Sequence, residues 1–211
     1  MNAIVALMFD PALLAPERVR PLKRREYEKL VDLGVFGDER VELLRGVLVE
    51  MSPQGNKHSG ITAWFAMALA RATTERYEVR SHSPFAASSD SMPEPDVSVS
   101  RPRADGKHPR SQDALLLIEV SGSSIVKDRT IKTEIYAAAG VPEYWIVNTK
   151  NRTIDVLRQP SKTGYKRVVR REIDSVIRPL KVRGVSIRVA DVPWFIEDDE
   201  RPAKKRARKR R

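Results

Sequence analysis

Cysteine is absent from this chain of 211 residues, and histidine occurs only three times. Without thiols the protein has no disulfide framework, no cysteine nucleophile and no ligands for a cysteine-rich zinc site. Three histidines also offer little for an imidazole-only metal site. Any bound metal is therefore expected to be a hard cation held by oxygen atoms.

Long hydrophobic runs are also missing. The longest uninterrupted apolar stretch, residues 63–70, falls far short of the ~20 residues that a membrane-spanning helix needs. Residues 1–10 are apolar but lack the basic residues that begin a secretory signal, and they lead into Asp10-Pro11. We therefore expect no membrane association and a cytoplasmic location.

The positive charge is concentrated at one end of the chain. The net charge is +11, but residues 201–211 hold eight of the 39 lysines and arginines and no acid, so the remainder carries 31 basic residues against 28 acidic ones. Such a run, with Lys204, Lys205 and Arg206, is expected to be disordered and to attract polyanions such as nucleic acid. A solubilising tail without a specific role is the alternative.

The body of the chain has the composition of one folded domain, with 41% apolar and 32% charged residues. We place this domain at residues 20–196, after an N-terminal arm (1–19) and before the basic tail (197–211). Helical spacing of apolar residues and turn residues such as Gly34 set the element boundaries, and Asn56 is a candidate helix cap. Helices are predicted at 23–33, 58–74 and 127–139, and strands at 41–44, 47–51, 78–83, 97–100, 114–120, 144–147, 154–157, 165–169 and 185–189.

The order of these elements predicts the fold class. The strand at 114–120 is apolar on both faces except at Glu119, as is typical of a central strand covered on both sides. A helix and another strand follow it directly, which favours a crossover between parallel neighbours. A short helical turn at 192–196 is expected to close the domain. The prediction is an α/β (α+β) protein with a mixed sheet flanked by helices.

Glu119 is the most informative residue of the sequence. An ionised carboxylate in a buried apolar strand costs several kcal/mol unless a partner compensates it. Strand periodicity places Glu119 near the C-terminal end of its strand, where open α/β sheets bind ligands. Pairing with an arginine or lysine in a purely structural role is the alternative.

Asp96 is a second candidate acid, because Pro95 presents it at the start of the strand at 97–100. If that strand lies beside the strand of Glu119, the two carboxylates and the Val120 carbonyl can converge on Mg²⁺. A turn residue bonded to its own backbone is the other interpretation.

The helix after Glu119 supplies a cation. Asp128, Lys132 and Tyr136 are spaced four apart and share one stripe, whereas Ile131, Ile135 and Ala138 are expected to form the stripe that packs on the sheet. A crossover helix begins near the end of the preceding strand, so Lys132 can reach Glu119. An ordinary Asp–Lys ion pair on a solvated helix is the alternative.

Other polar residues allow two interpretations each. Glu42 alternates with apolar neighbours and faces either solvent or the same site as a further acid. His58 is either a helix-start residue or a phosphate contact. The loop at 101–110 either contacts a DNA backbone through Arg103, Lys107 and Arg110 or is simply solvated.

Together these residues resemble the PD-(D/E)XK nuclease superfamily, and more closely its Uma-type branch of restriction endonucleases, also known as domain of unknown function 820. The resemblance covers about residues 22–195. Its motifs are residues 40–46 (RVELLRG), 51–53 (MSP) with His58, 93–97 (PEPDV), 117–121 (LIEVS), Asp128 with Lys132 and Tyr136, and 140–147 (GVPEYWIV).

The resemblance implies a restriction-endonuclease-like core with Asp96 and Glu119 as metal ligands, Glu42 as an auxiliary acid and Lys132 as the catalytic lysine. One position departs from the superfamily pattern. The lysine normally stands two residues after the second acid, where this chain has Ser121, and Lys132 resembles a replacement supplied by the helix.

The function expected from these features is Mg²⁺-dependent hydrolysis of DNA, with Mn²⁺ as a substitute, because metal-bound carboxylates both neutralise phosphoryl charge and activate water. One alternative is a nucleic-acid-binding domain that keeps the fold without the activity. Another is an accessory protein that acts through a protein partner. A homodimer is expected if both strands are cut.

Overall fold

The computed structural model describes residues 18–73, 75–122 and 124–194. The predicted tail, with Lys204, Lys205 and Arg206, lies outside the described residues, as does nearly all of the predicted N-terminal arm. Within the described ranges, no helix combines the length and the apolar character needed to cross a membrane.

The described residues form four α-helical segments and ten strands. Helices are α1 (Arg24–Asp32), α2 (Asn56–Ala72), α3 (Ile125–Lys127) and α4 (Thr133–Ala138), with a π-helical segment at Asp128–Lys132 and a 3-10 turn at Val189–Asp191. Strands are β1 (Val41–Leu44), β2 (Val47–Glu50), β3 (Glu78–Ser81), β4 (Val97–Ser100), β5 (Ala114–Ser121), β6 (Glu143–Asn148), β7 (Thr153–Ser161), β8 (Gly164–Arg171), β9 (Val176–Ile177) and β10 (Ile187–Arg188).

A six-stranded mixed sheet in the order β3-β4-β5-β6-β7-β8 forms the centre of the fold. The β5–β6 pair is parallel, with Leu117 opposite Tyr144 and Ser121 opposite Asn148, and the other pairs are antiparallel. This confirms both the predicted fold class and the predicted crossover. It also places β5 in the interior of the sheet, as its continuous apolar sequence indicates.

Both faces of the sheet are covered. On one face, Ile61 and Phe65 of α2 pack with Ile118 and Trp145. On the other face, Tyr136 of α4 packs with Leu117 of β5 and Tyr144 of β6, which are the sequence neighbours of Ile118 and Trp145 and point the opposite way. Burial of each such side chain contributes about 1.5–3 kcal/mol, so the alternation along β5 and β6 fixes which residues face which layer.

The crossover helix departs from the prediction of one regular helix at 127–139. Its turn at Asp128–Lys132 is π-helical, and Thr133 Oγ1 donates to the Asp128 carbonyl at 2.7 Å. The expected packing stripe is wrong in part, because Ile131 is 41% exposed whereas Asp128 and Lys132 are buried. Polar contacts in the interior, rather than apolar spacing, orient this turn.

The last described segment is more irregular than expected. The predicted strand at 185–189 is reduced to β10, which pairs with β9 over two residues, and the helical turn begins at Val189 rather than at 192. Buried Glu143 fastens this segment, since its carboxylate accepts the Leu180 N–H. At the start of α2, Gly55 rather than Asn56 occupies the capping position.

Candidate active site

A cleft of about 620 Å³ opens at the end of the sheet where β5 ends and β4 begins. Chain direction explains this convergence, because β4 runs antiparallel to β5 and starts beside its C-terminal end. The β1–β2 hairpin, the start of α2 and the crossover helix form the other walls. Polar residues of the cleft include Glu42, Gln54, His58, His82, Glu94, Asp96, Glu119, Lys127, Asp128 and Lys132.

Glu119 lies at the base of this cleft and is 3% exposed. The Lys132 ammonium donates to its Oε1 at 2.8 Å, and the Tyr136 hydroxyl donates to the same oxygen at 2.7 Å. Burial raises the pKa of Glu119 well above its usual value; Lys132 opposes this rise, and nearby carboxylates, Asp96 first, add to it. A cation in the cleft would therefore stabilise the ionised form of Glu119.

Lys132 joins two acids from different parts of the chain. Besides Glu119, its Nζ lies 3.2 Å from Glu42 Oε2. Burial lowers the pKa of Lys132, but the charges of Glu119 and Glu42 outweigh it and hold this pKa above its usual value. The side chain is therefore an ammonium cation, not a general base, at neutral pH.

The Asp96 carboxylate is held in the cleft by groups from β5, from the start of α2 and from the loop that precedes α2. Its Oδ2 accepts the Val120 N–H at 2.7 Å and lies 3.1 Å from His58 Nε2, and its Oδ1 accepts from Gln54 at 3.1 Å. Burial raises the pKa of Asp96, but the contacts with His58 and the Val120 N–H outweigh it and leave this pKa lowered. The expected Val120 carbonyl contact stays a prediction.

Glu42 proves to be an interior residue of the site rather than a solvent-facing one. It is 1% exposed, and its Oε1 accepts from Lys127 Nζ at 2.7 Å while its Oε2 accepts the Glu94 N–H at 3.2 Å. Reciprocal backbone bonds between Leu43 and Met92 hold β1 against the segment that precedes Asp96. The β1–β2 hairpin thereby places Glu42 in the cleft, although its strands do not pair with the six-stranded sheet.

Asp128 lies buried in the cleft, on the stripe that it was expected to share with Lys132 and Tyr136. Its Oδ2 accepts hydrogen bonds from Ser121 and Ser124, both at 2.7 Å, and burial raises its pKa. Ser121 thus fastens the crossover helix to the end of β5.

His58 and Gln54 are further residues whose contribution was missed. Both contact the Asp96 carboxylate, whereas a helix-start role was the simpler interpretation of His58. Gln54 precedes Gly55, the N-cap of α2, so helical spacing does not relate it to His58. The sequence carried no signal that either residue faces Asp96, which lies on a distant segment.

The loop at 101–113 lies away from the cleft. It joins the C-terminal end of β4 to the N-terminal end of β5, which is the opposite end of both strands from Asp96 and Glu119. Arg103 is also neutralised there by Asp105 and Asp113. DNA contact by Arg103, Lys107 and Arg110 stays a prediction that the position of the loop does not favour.

The donor set of the cleft fits a hard divalent cation. Asp96 and Glu119 offer carboxylate oxygens, and both side-chain donors to Glu119 in the described structure reach Oε1, not Oε2. No cluster of three or more histidine, aspartate or glutamate side chains within 18–73, 75–122 and 124–194 has the arrangement of a complete metal cage. Two carboxylates suffice for Mg²⁺, because this ion usually keeps several waters and binds substrate phosphates.

Comparison with solved structures supports this fold. The chain resembles the crystal structure of "a putative nuclease belonging to DUF820" from Anabaena variabilis, with a TM-score of 0.64 and 16% identity over 82% of this chain and 99% of that one. No curated protein matches the chain. The family model "Uma2: Putative restriction endonuclease" matches residues 24–190. The chain therefore belongs to the Uma2 family of restriction-endonuclease-like proteins.

Proposed function

We propose that the protein is a divalent-metal-dependent endonuclease that hydrolyses phosphodiester bonds of DNA in the cleft between Asp96 and Lys132. Family membership and fold support a nuclease. The observation that carries the finer proposal is the buried Lys132 ammonium, held between Glu119 and Glu42 in the cleft that Asp96 also lines.

Each residue has a distinct role in this proposal. Asp96 and Glu119 would hold Mg²⁺, or Mn²⁺ in its place, which supplies charge neutralisation and a more acidic water. Lys132 presents a fixed positive charge where negative charge grows on the phosphoryl oxygens, and preorganised charges of this kind cost little reorganisation during the reaction. Glu42 keeps Lys132 oriented and protonated.

The Asp96 carboxylate is oriented by contacts within the protein itself. His58, Gln54 and the Val120 N–H fix both of its oxygens. Because the pKa of Asp96 is lowered, this carboxylate is ionised at neutral pH and ready to bind a cation. Glu119 faces the Lys132 ammonium, and a bound cation would further favour its ionised form against the burial that raises its pKa.

A cleavage assay on supercoiled plasmid tests the proposal. We expect nicking with Mg²⁺ or Mn²⁺ and none with a chelator, and a loss of at least about 100-fold in Asp96→Asn and Glu119→Gln, as for removal of a group that stabilises transition-state charge. Asp105→Asn, the same chemical change at the far end of the sheet, serves as the control. Wild-type rates in either cleft variant would overturn the assignment.

The second candidate is a nucleic-acid-binding domain that does not cut. Ser121 in the place of the superfamily's usual lysine is the observation that favours it. Calorimetric titration with Mn²⁺, together with plasmid and single-strand assays, separates the two. Metal and DNA binding without cleavage would support the binding domain.

A homodimer and a cytoplasmic location are expectations of the same proposal. Cutting both strands of a duplex in one binding event is served by two clefts, which a symmetric dimer provides. Light scattering of the full chain with and without duplex DNA measures the oligomeric state directly.

A further inference from the structure

Two arginines outside the cleft are held by one buried carboxylate. Asp155 of β7 is 5% exposed; its Oδ2 accepts from Arg129 at 2.7 Å and its Oδ1 accepts from Arg170 Nε at 2.9 Å. Arg129 comes from the crossover helix and Arg170 from the edge strand β8. Two guanidinium groups are thus fixed side by side although they lie 41 positions apart in the chain.

Both arginines remain available to a further ligand. Their side chains are 38% and 51% exposed, and a guanidinium carries five N–H donors, of which Asp155 engages few. Asp155 alone does not neutralise two guanidinium groups, although the carboxylate of Glu172 also acts on Arg170. An anion that accepts several hydrogen bonds would match this arrangement, and phosphate oxygens do so in bidentate geometry.

The position of the pair relates it to the cleft. Arg129 follows Asp128 directly, and Lys132 lies three residues later, so a single turn of helix presents Lys132 to the cleft and Arg129 to the outer surface. A groove of about 520 Å³ separates this helix from β8, with Arg129, Thr133, Val168 and Arg170 in its walls. The groove and the cleft therefore flank the same helical turn.

Further cations lie at the same end of the sheet. The turn between β6 and β7 carries exposed Lys150 and Arg152 directly after Thr149, which lines the cleft. Register places this turn beside the C-terminal end of β8, where Arg170 lies. Positive charge therefore extends from the cleft toward the Arg129–Arg170 pair.

We propose that Arg129 and Arg170, preordered by Asp155, bind backbone phosphates of duplex DNA beside the phosphate that is cut. This inference rests on the proposed nuclease function and names the surface that holds its substrate. Holding both arginines in place before binding removes part of the entropy cost of ordering long side chains. Contacts of this kind position a duplex without reading its sequence.

The chain offers a charge-matched control for this proposal. Arg76 and Arg183 are exposed at the opposite end of the sheet, beside the start of β3, and line a different groove, of about 530 Å³. Removal of one positive charge there changes the net charge of the protein equally. Every variant keeps the basic tail, so differences between variants report the folded surface.

The test compares Arg129→Gln and Arg170→Gln with Arg76→Gln and Arg183→Gln in the full chain. Each arginine variant leaves the other arginine on Asp155, so the buried carboxylate keeps a partner. Binding of a fluorescent duplex, with a chelator present, is titrated from about 50 to 200 mM salt, the range over which phosphate contacts change affinity most visibly. Thermal melts verify that each variant is folded.

We expect each arginine variant to bind DNA about 3- to 10-fold more weakly and the slope of log affinity against log salt to shrink by about 0.9 per lost phosphate contact. Arg76→Gln and Arg183→Gln should retain the wild-type slope. Arg129→Lys and Arg170→Lys, which keep the charge and the ion pair but lose the bidentate fork, should lie between. A merely structural role would alter the melts without altering this slope.

The outcomes separate the two proposals. Cleavage by the wild type, together with unchanged affinity and slope in both arginine variants, would overturn the arginine surface and leave the nuclease proposal intact. Loss of affinity in the arginine variants of a protein that binds but does not cut would support the surface and count against the nuclease. A wild type without affinity for duplex DNA would overturn both.

Discussion

The Lys132 ammonium lies 2.8 Å from Glu119 Oε1, and both side chains are almost completely buried. Neither charge has bulk water to stabilise it, so each depends on the other. Breaking a buried pair by removing one partner costs about 3–5 kcal/mol, since the remaining charge is left uncompensated. A substitution at either residue is therefore expected to change both the free energy of unfolding and the proposed cleavage activity.

Lys132→Met should abolish cleavage and lower the free energy of unfolding by about 3 kcal/mol. The double variant Lys132→Met/Glu119→Gln should recover part of this loss, because it removes the uncompensated carboxylate as well. Urea denaturation measures the stability, and the plasmid assay measures the activity.

Lys127→Met is the matched control for this prediction. Lys127 is 28% exposed and contacts Glu42, which keeps Lys132 as a second partner. A loss of about 1 kcal/mol is expected for such a partly solvated pair. Equal destabilisation by Lys132→Met and Lys127→Met would contradict the claim that burial makes the Lys132 ion pair the more costly one to break.

The central sheet was predictable because local patterns determine it. The apolar run of β5 indicates a strand covered on both faces, and the helix that follows forces a parallel return to β6. Glu119 was recognisable as a candidate site residue because it is the one charged residue in that apolar run. Its proximity to Asp96 followed once β4 was placed beside β5.

Contacts between distant segments were not predictable. The direction of Glu42 depends on how a separate two-stranded hairpin docks, and alternation within β1 is the same for either direction. Of the predicted packing stripe of Ile131, Ile135 and Ala138, only Ile135 is buried. In the turn before it, the buried side carries Lys132 with its ion pairs to Glu119 and Glu42. Tertiary contacts thus override the local pattern in this turn.

Tyr136→Phe should weaken metal binding without disturbing the fold. The Tyr136 hydroxyl donates to Glu119 Oε1 at 2.7 Å, while its ring packs edge-on against Tyr144 at 4.9 Å between centroids. Phenylalanine keeps the packing and loses a hydrogen bond to a charged group, which contributes about 2 kcal/mol. We expect a higher Mn²⁺ concentration for half-maximal cleavage.

Tyr144→Phe provides the comparison, because that hydroxyl donates to the Asp128 backbone carbonyl at 3.2 Å and does not contact Glu119. Its loss should cost about 1 kcal/mol and leave the metal dependence unchanged. The role of Tyr136 would be refuted by identical Mn²⁺ titrations of Tyr136→Phe and the wild type.

Gly46→Ala should destabilise the hairpin that carries Glu42. Gly46 has φ +79°, and an added Cβ would lie 2.3 Å from Pro21 Cβ. Gly140 has a similar φ of +76° but nothing within 4 Å of an added Cβ, so Gly140→Ala isolates the backbone cost of about 1 kcal/mol. The difference between the two variants, about 1–2 kcal/mol of overpacking in a denaturant titration, measures the clash. Equal losses would show that Pro21 moves aside freely.

Asp155→Asn should lower the free energy of unfolding at neutral pH. In acid, where Asp155 of the wild type is protonated, the substitution should have little effect. Burial raises the pKa of Asp155, but hydrogen bonds from Arg170 and Arg129 outweigh it and leave this pKa lowered. A carboxyl group with a lowered folded-state pKa stabilises the fold above its unfolded pKa of about 3.9, and this contribution disappears as the pH falls through the folded-state value.

Unfolding free energies of wild type and Asp155→Asn, measured from pH 7 down to about pH 2, test this sign. We expect a difference of about 1–2 kcal/mol at pH 7, since hydrogen bonds to charged groups contribute about 1.5–3 kcal/mol and the half-exposed arginines are partly screened. Because protonated Asp155 resembles the asparagine, the two stability curves should converge below pH 4. A difference that grows toward acid would mean that burial, not the two arginines, controls this carboxyl group.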